Sequence, residues 1–249
     1  MLTVNDPAEP GIRINRFLAS CGICSRRDAD RLVEAGRVLI DGRPAKAGDR
    51  VSAGAQVLVD GREAIPQQET VVYAYYKPRG VVCTERDAHA SRTVMTELAG
   101  RLPGRLTYIG RLDRDSEGLL LLTNDGALKQ LLESAKNGTE KEYLVTTDRP
   151  LTPEAKKRME AGVPLTDLGI TTKPCRILPA EGGADAGDDG RSRFRIILTE
   201  GKNRQIRRMC ESEGLRVTRL IRVREAGVTL GDMKPGDLRA LSATEIEHL

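Results

Sequence analysis

The sequence predicts an α+β protein whose two units divide near residue 65. Amphipathic helix signals and short strand signals alternate along the whole chain. Between them "GREAIPQQE", at 61–69, has little periodicity and a proline, as a linker would. At 249 residues and 39% hydrophobic content, the chain is long and apolar enough for one large or two modest cores.

Residues 12–60 form the first unit. Ile14, Phe17, Leu18 and Cys21 fall at i, i+3, i+4 and i+7, which predicts a helix with one buried face. "SRRDADRLVEAG" opens on a Ser-x-x-Asp start at Ser25 and stops at Gly36. Ala29, Leu32 and Val33 make its apolar stripe, and Arg26, Arg27 and Arg31 lie off it. A strand "RVLI", an Asp41-Gly42 turn and a strand "QVLVDG" follow. Residues 61–72 are expected to be a linker.

Residues 73–249 form the second unit. "VVYAYYKPRGVVCT" reads as a strand broken by a turn at Lys77–Gly80. "GLLLLTNDG" is a buried strand closed by Asn124-Asp125-Gly126. In "ALKQLLESAKNG", Leu128, Leu131, Leu132 and Ala135 are expected on one helix face that ends at Gly138. "KEYLVTT" and "RFRIILTEG" read as strands. "TPEAKKRMEAG" reads as a helix with Thr152 as N-cap and Pro153 at the first position. The Gly/Ala/Asp-rich segment 180–193 reads as a hairpin loop. "NRQIRRMCESEG" reads as a helix with Ile206, Met209 and Cys210 on one face and Arg204, Arg207 and Arg208 on another.

Composition excludes several function classes. Tryptophan is absent and aromatics are 3%, which argues against platforms stacking several bases. No apolar run approaches the ~20 residues of a membrane span, and no secretory segment follows Met1, so a cytoplasmic protein is expected. "CGIC" at Cys21–Cys24 has redox or zinc spacing, but Cys83, Cys175 and Cys210 are isolated, which favours packing at a helix end. No Walker A, G-x-G-x-x-G, H-E-x-x-H or G-x-S-x-G occurs, and His89 and His248 suit no triad. No metal and no cofactor are therefore expected. A net charge of +4 says little about partners, but two separate clusters of arginine point to a phosphate backbone.

In "GRLDRDSEGLLLLTNDG", at 110–126, Asp113 lies between Arg111 and Arg114, just ahead of a buried strand. Flanking arginines would keep it ionised, and a shielded, ionised carboxylate can act as nucleophile or base. A surface Arg–Asp network remains the alternative. Asp113, Asp115 and Glu117 alternate, so a glycosidase with paired carboxylates is a further reading, although Ser116 and Gly118 suggest a turn.

This stretch resembles the signature of the RsuA/RluB/RluE/RluF group of RNA pseudouridine synthases. "YKPRGVV" at 76–82, "KEYLV" at 141–145, "EGKNRQIRRMCE" at 200–211 and "RLIRVREAGVTL" at 219–230 are similar to its other motifs. Residues 12–60 resemble an S4 RNA-binding domain. "CGICSRRDADR", "KEYLVTTDRPLT" and "GVPL…TTKPC" are most similar to the RluF branch. The resemblance implies a small S4-like α+β domain followed by a mixed, largely antiparallel-sheet catalytic domain. It also implies cofactor-free isomerisation of a uridine to pseudouridine in structured RNA, namely large-subunit ribosomal RNA, with a transfer RNA as a second candidate and a monomeric enzyme. A non-catalytic S4-type RNA-binding protein is the alternative. In the family pattern Asp113 matches the essential aspartate, Tyr143 the tyrosine that stacks on the flipped uracil, and Lys202 a basic residue near the aspartate. Arg111, Leu112, Arg114, Asn203, Arg204, Gln205, Arg207 and Arg208, with Arg26, Arg27 and Arg31, are the implied RNA contacts. Glu225-Ala226 depart from the pattern, where many members have Ile-Gly, and the 180–193 loop is longer than the pattern.

Overall fold

The computed structural model describes residues 11–66, 69–84, 92–180 and 192–249. Its chain forms two units, one reaching to Thr70 with the short segments Leu102–Leu106 and Asn124–Gly126, the other holding the rest.

The first unit runs β1 (Ile12–Arg13), α1 (Ile14–Ser20), α2 (Arg26–Glu34), β2 (Val38–Ile40), β3 (Arg43–Pro44), β4 (Arg50–Val51), β5 (Val57–Val59) and β6 (Arg62–Glu63). Ile14, Phe17 and Leu18 of α1 are buried with Ala29 and Val33 of α2. The Ser25 hydroxyl accepts the Asp28 amide at 3.2 Å, satisfying a donor that the helix start leaves free. Cys24 is buried in this core and Cys21 packs against it; burial pushes both thiols up, Cys21 to about 11. The sheet order is β3-β2-β5-β6. Asp41 and Gly42 both take positive φ, 49° and 77°, as a two-residue hairpin turn requires. Asp60 and Gly61 do the same at 51° and 76°, so Arg62–Glu63 fold back on β5 and Ala64 is buried. A linker beginning at residue 61 is therefore too early, because Asp60-Gly61 is a second hairpin turn and the strand after it belongs to the sheet. Residues 67–68 lie outside the described residues.

The second unit runs β7 (Val72–Lys77), α3 (Val94–Glu97), β8 (Thr107–Ile109), β9 (Glu117–Thr123), α4 (Gly126–Glu133), β10 (Lys141–Thr147), α5 (Pro153–Ala161), β11 (Pro164–Leu165), β12 (Ile170–Thr171), β13 (Arg176–Pro179), β14 (Ser192–Leu198), α6 (Gln205–Ser212), β15 (Val217–Glu225), β16 (Val228–Thr229), β17 (Leu238–Ala240) and α7 (Ala243–Glu247). One mixed sheet has the order β13-β14-β10-β15-β9-β7-β17, with β8 beside β9 and β16 beside β15. Every named pairing is antiparallel except β15 with β9. All of β9 is buried, which explains its unbroken leucines: a strand covered on both faces has no polar side.

The α4 face differs from expectation. Leu132 is buried and Leu128 packs beside the core, but Leu131 is 51% exposed and the helix ends at Glu133, before Ala135 and Gly138. The Asn137 side chain donates to the Leu131 carbonyl at 2.7 Å, taking an acceptor that a longer helix would have used. The α5 signals hold, with the Thr152 hydroxyl accepting the Ala155 amide and Pro153 at the first position. The 180–193 loop lies outside the described residues except at its ends, as does His89. Among the described residues no helix is long and apolar enough to cross a membrane.

Candidate active site

The close approach of β9 and β15 builds the site. Arg222 of β15 lies opposite Gly118 of β9. Gly118 has φ +106°, and a Cβ there would stand 2.4 Å from the Arg222 carbonyl oxygen and 2.7 Å from its amide nitrogen. Only glycine lets the two backbones come this near. Just before β9, Asp113 closes a turn, accepting the Ser116 amide on its carbonyl at 3.1 Å. The same loop is held by the Gly80 amide on the Arg114 carbonyl at 2.7 Å, and by the Leu112 amide on the Cys83 sulfur at 3.5 Å.

This turn sends the three alternating carboxylates to different partners. Asp115 accepts both ends of the Arg204 guanidinium at 3.0 and 3.3 Å and has the Arg207 Nε at 3.3 Å. Burial works to raise the Asp115 pKa, but the two arginines outweigh it and hold the carboxyl below its ordinary value. Glu117 accepts Arg219 at 2.8 and 3.2 Å and the Tyr76 hydroxyl at 3.0 Å; Arg219 is the main cause of its lowered pKa. Among the described residues, Asp113 has no hydrogen bond to its carboxylate and no ion pair. The flanking Arg111 and Arg114 are exposed and do not pair with it, contrary to the expectation from their spacing.

Asp113 instead lies within electrostatic reach of Lys77, Tyr143, Arg204 and Arg207. Tyr143 comes from β10, opposite Arg222 across the sheet. Burial pushes its phenol up, and Arg222 beside it acts in the opposite direction. Lys77 is fully buried at the end of β7, its ammonium donating to the Val81 and Pro78 carbonyls at 2.7 and 3.0 Å. Burial pulls Lys77 down to about 8, against the carboxylates around it. Among the described residues the result is a carboxylate without an ion pair, near the Tyr143 ring and walled by cations that are already anchored.

An RNA pseudouridylate synthase family profile matches residues 71–212, which carry Asp113 and Tyr143. The chain belongs to this family. An S4 domain profile matches residues 12–62 of the synthase. It is 42% identical over 239 residues to a dual-specificity RNA pseudouridine synthase RluF of Salmonella typhi, covering 95% of this chain and 78% of that one. It is 35% identical over 244 residues to a ribosomal large subunit pseudouridine synthase B of Vibrio cholerae, covering 95% and 74%. A crystal structure of a pseudouridylate synthase superposes with a TM-score of 0.67 at 27% identity, covering 96% of this chain and 99% of that one.

The synthase places several expected site residues differently from their sequence reading. Arg204 is not on the helix face; it precedes α6 in the left-handed region at φ 50°. Arg207 donates to the Val217 and Asp115 carbonyls, and Arg208 pairs with Asp167. The basic face is thus neutralised within the chain, which relieves the repulsion that the spacing implied. Leu112, at 6% exposure, and Gln205, at 4%, are buried in the chain itself. Gln205 joins the α6 start to Glu200, donating to its carboxylate and accepting the Lys202 amide, both at 2.9 Å. Lys202 is exposed with Glu200 as its ion-pair partner at 3.9 Å, and the basic side chain on α6 within electrostatic reach of Asp113 is Arg207. Arg26 and Arg27 are exposed on α2, and Arg31 pairs with Asp28 at 3.3 Å. Sequence reasoning missed Lys77, Arg219, Arg222 and Glu225. The signal was there for Lys77, a lysine ending an otherwise apolar strand before Pro78.

Lys77 gives a pH signature. Its folded pKa of about 8 is below the ordinary 10.5, so between these values the unfolded chain holds a proton that the folded protein has lost. Stability therefore rises with pH across this window, and the penalty of the buried charge is fully present below about 8. Calorimetry on wild type and Lys77→Met should show wild type gaining on the variant from pH 8 to 10.5. A difference that stays flat would contradict the buried ammonium.

Proposed function

We propose that the synthase converts a uridine of large-subunit ribosomal RNA to pseudouridine with Asp113 as its essential carboxylate. The observation that carries this reading is that, among the described residues, Asp113 alone of the three alternating carboxylates has no arginine ion pair. A glycosidase would need a second free carboxylate across the bond, and Asp115 and Glu117 are both engaged. The target base leaves its stack and lies on Tyr143. The bond from C1′ to N1 breaks, the uracil turns, C5 bonds to C1′, the proton on C5 departs and N1 takes up a proton, so the composition of the nucleotide is unchanged. Asp113 serves as nucleophile at C1′ or as base at the 2′ carbon. Arg207 takes the role of the basic neighbour first assigned to Lys202.

The relatives named RluF and synthase B support the ribosomal target, and the dual specificity in the RluF name supports a second RNA, with transfer RNA the candidate. The enzyme is taken to act as a monomer, and a ribosomal substrate supports a cytoplasmic location. Residues 12–60 grip the RNA through Arg26, Arg27 and Arg31. Arg111, Arg114, Asn203, Arg204, Arg207 and Arg208 contact it around the reacting base.

Mapping pseudouridine in ribosomal RNA, with and without the gene, tests the target: a large-subunit uridine should lose its modification. An unchanged map would remove the ribosomal assignment. Arg204→Ala with Arg207→Ala should lower kcat and flatten the log–log salt dependence of RNA binding by roughly 0.7–0.9 for each phosphate no longer neutralised. Binding titrations over a salt series would detect this. An unchanged slope would leave the two arginines as purely internal partners of Asp115.

A further inference from the structure

Among the described residues, three of the buried polar side-chain atoms without a hydrogen bond belong to one ion pair: Arg222 Nη2, Glu225 Oε1 and Glu225 Oε2. The pair is sealed, with side-chain exposures of 1% and 0%. Arg222 Nη2 is 3.1 Å from Glu225 Oε2, close enough for an ion pair but off the line of a hydrogen bond. Arg222 is otherwise anchored by its Nε on the Leu119 carbonyl at 2.7 Å. Its position on β15 is opposite Tyr143 on β10, and its guanidinium reaches the Tyr143 phenol. Glu225 is opposite Lys141 on the same strand pair. A Cβ on Gly110 would stand 3.9 Å from both Arg222 Nη1 and Glu225 Oε1, so the pair lies against the start of the loop that carries Asp113.

A buried ion pair is weak evidence for stability, since desolvation offsets most of the attraction and apolar residues of similar volume often serve as well. The pair touches the two parts that the reaction brings together: the ring under the base and the loop bearing the carboxylate. We propose that Glu225 is a positioning residue, which through Arg222 fixes the Tyr143 ring and the Gly110–Asp113 loop relative to each other. This rests on the roles of Asp113 and Tyr143 given above. Without Glu225 the guanidinium is a buried cation deprived of the carboxylate that balances it. It would then be drawn off the tyrosine or would admit water. Lys141, whose own pKa burial lowers, faces Glu225 from β10 and would lose the same partner.

The test is single-turnover and steady-state pseudouridine formation on a stem-loop RNA. Wild type, Glu225→Gln and Glu225→Ile are each measured with Tyr143 intact and as Tyr143→Phe. Glu225→Gln should lower kcat about 10- to 100-fold with KM within about threefold, the size expected when reacting groups are misplaced by a fraction of an ångström to about 1 Å. In the Tyr143→Phe background the same change should have much less effect, because both substitutions break one chain of interactions. Glu225→Ile should fold and show the same loss of kcat. Where Glu225→Gln unfolds, Arg222→Met with Glu225→Ile replaces it, and should melt like wild type yet remain slow. Wild-type turnover in any folded variant, full additivity with Tyr143→Phe, or failure of every variant to fold would each overturn the proposal. A wild-type protein that forms no pseudouridine, or an active Asp113→Asn, would overturn the underlying reading instead.

Discussion

Asp113→Asn is expected to lower single-turnover pseudouridine formation by several orders of magnitude while RNA affinity stays within about tenfold. The substitution keeps the shape of the side chain and removes its charge. It breaks no hydrogen bond and no ion pair, because among the described residues the Asp113 side chain makes none. The Ser116 amide bonds to the backbone carbonyl of Asp113, so the turn survives. Melting temperature should therefore match wild type, which separates a chemical loss from a structural one. Affinity should persist because phosphate binding dominates it, and the arginines around the site remain. Both candidate roles, attack at C1′ and removal of the 2′ proton, need an ionised carboxylate, so the prediction holds for either. Substantial residual turnover would refute the assignment. The same substitution at Asp115 provides a contrast: it should loosen Arg204 and Arg207 and disturb RNA binding.

Gly118→Ala should destabilise the second unit by about 3 kcal/mol or more, well above the usual range for a single substitution. Two penalties coincide. The backbone at φ +106° disfavours any side chain, and the new Cβ would meet the Arg222 backbone at 2.4 and 2.7 Å. Neither clash is with a flexible side-chain end, so β15 must move away from β9. That movement would also carry Arg222 away from the Leu119 carbonyl and from Tyr143, so activity should fall with stability. Denaturant unfolding followed by turnover measurement would show both. A variant with wild-type stability would mean that β9 and β15 do not pair this closely in solution. Gly126→Ala is the control: a Cβ there meets nothing within 4 Å, and the same measurements should barely move.

Much of the local structure is legible in the sequence because its causes are local. Ser25 and Thr152 start helices by accepting an amide three residues on, and that geometry is fixed by the helix period. The Asp41-Gly42 turn follows from the positive φ that the pair tolerates. At Asp60-Gly61 the same turn signal is present, but a nearby proline and weak periodicity mask it, and β6 is too short to show an alternation of its own. Leu131 shares helical spacing with its apolar neighbours, yet its side chain is exposed, and the helix ends at Glu133, where Asn137 takes the Leu131 carbonyl.

The sequence by itself determined the identities of the helices and strands whose patterning is strong, among them α1, α2, β9, β10, α5 and α6, together with the carboxylate ahead of a buried strand and the motifs that carry Asp113 and Tyr143. Only the tertiary structure decided which charges meet. Arg204 reaches Asp115 across 89 positions, Arg219 reaches Glu117 across 102, and Arg222 reaches the Leu119 carbonyl across 103. These partners depend on β15 entering the sheet parallel to β9, beside Gly118, and no short-range pattern encodes a strand order. The reason is physical: spacing along a helix or turn is set by the backbone's own period. A pairing across a hundred residues is set by which strands bury each other best, and that choice exists only once the chain has folded. Which carboxylate is left free to react is therefore a property of the assembled sheet.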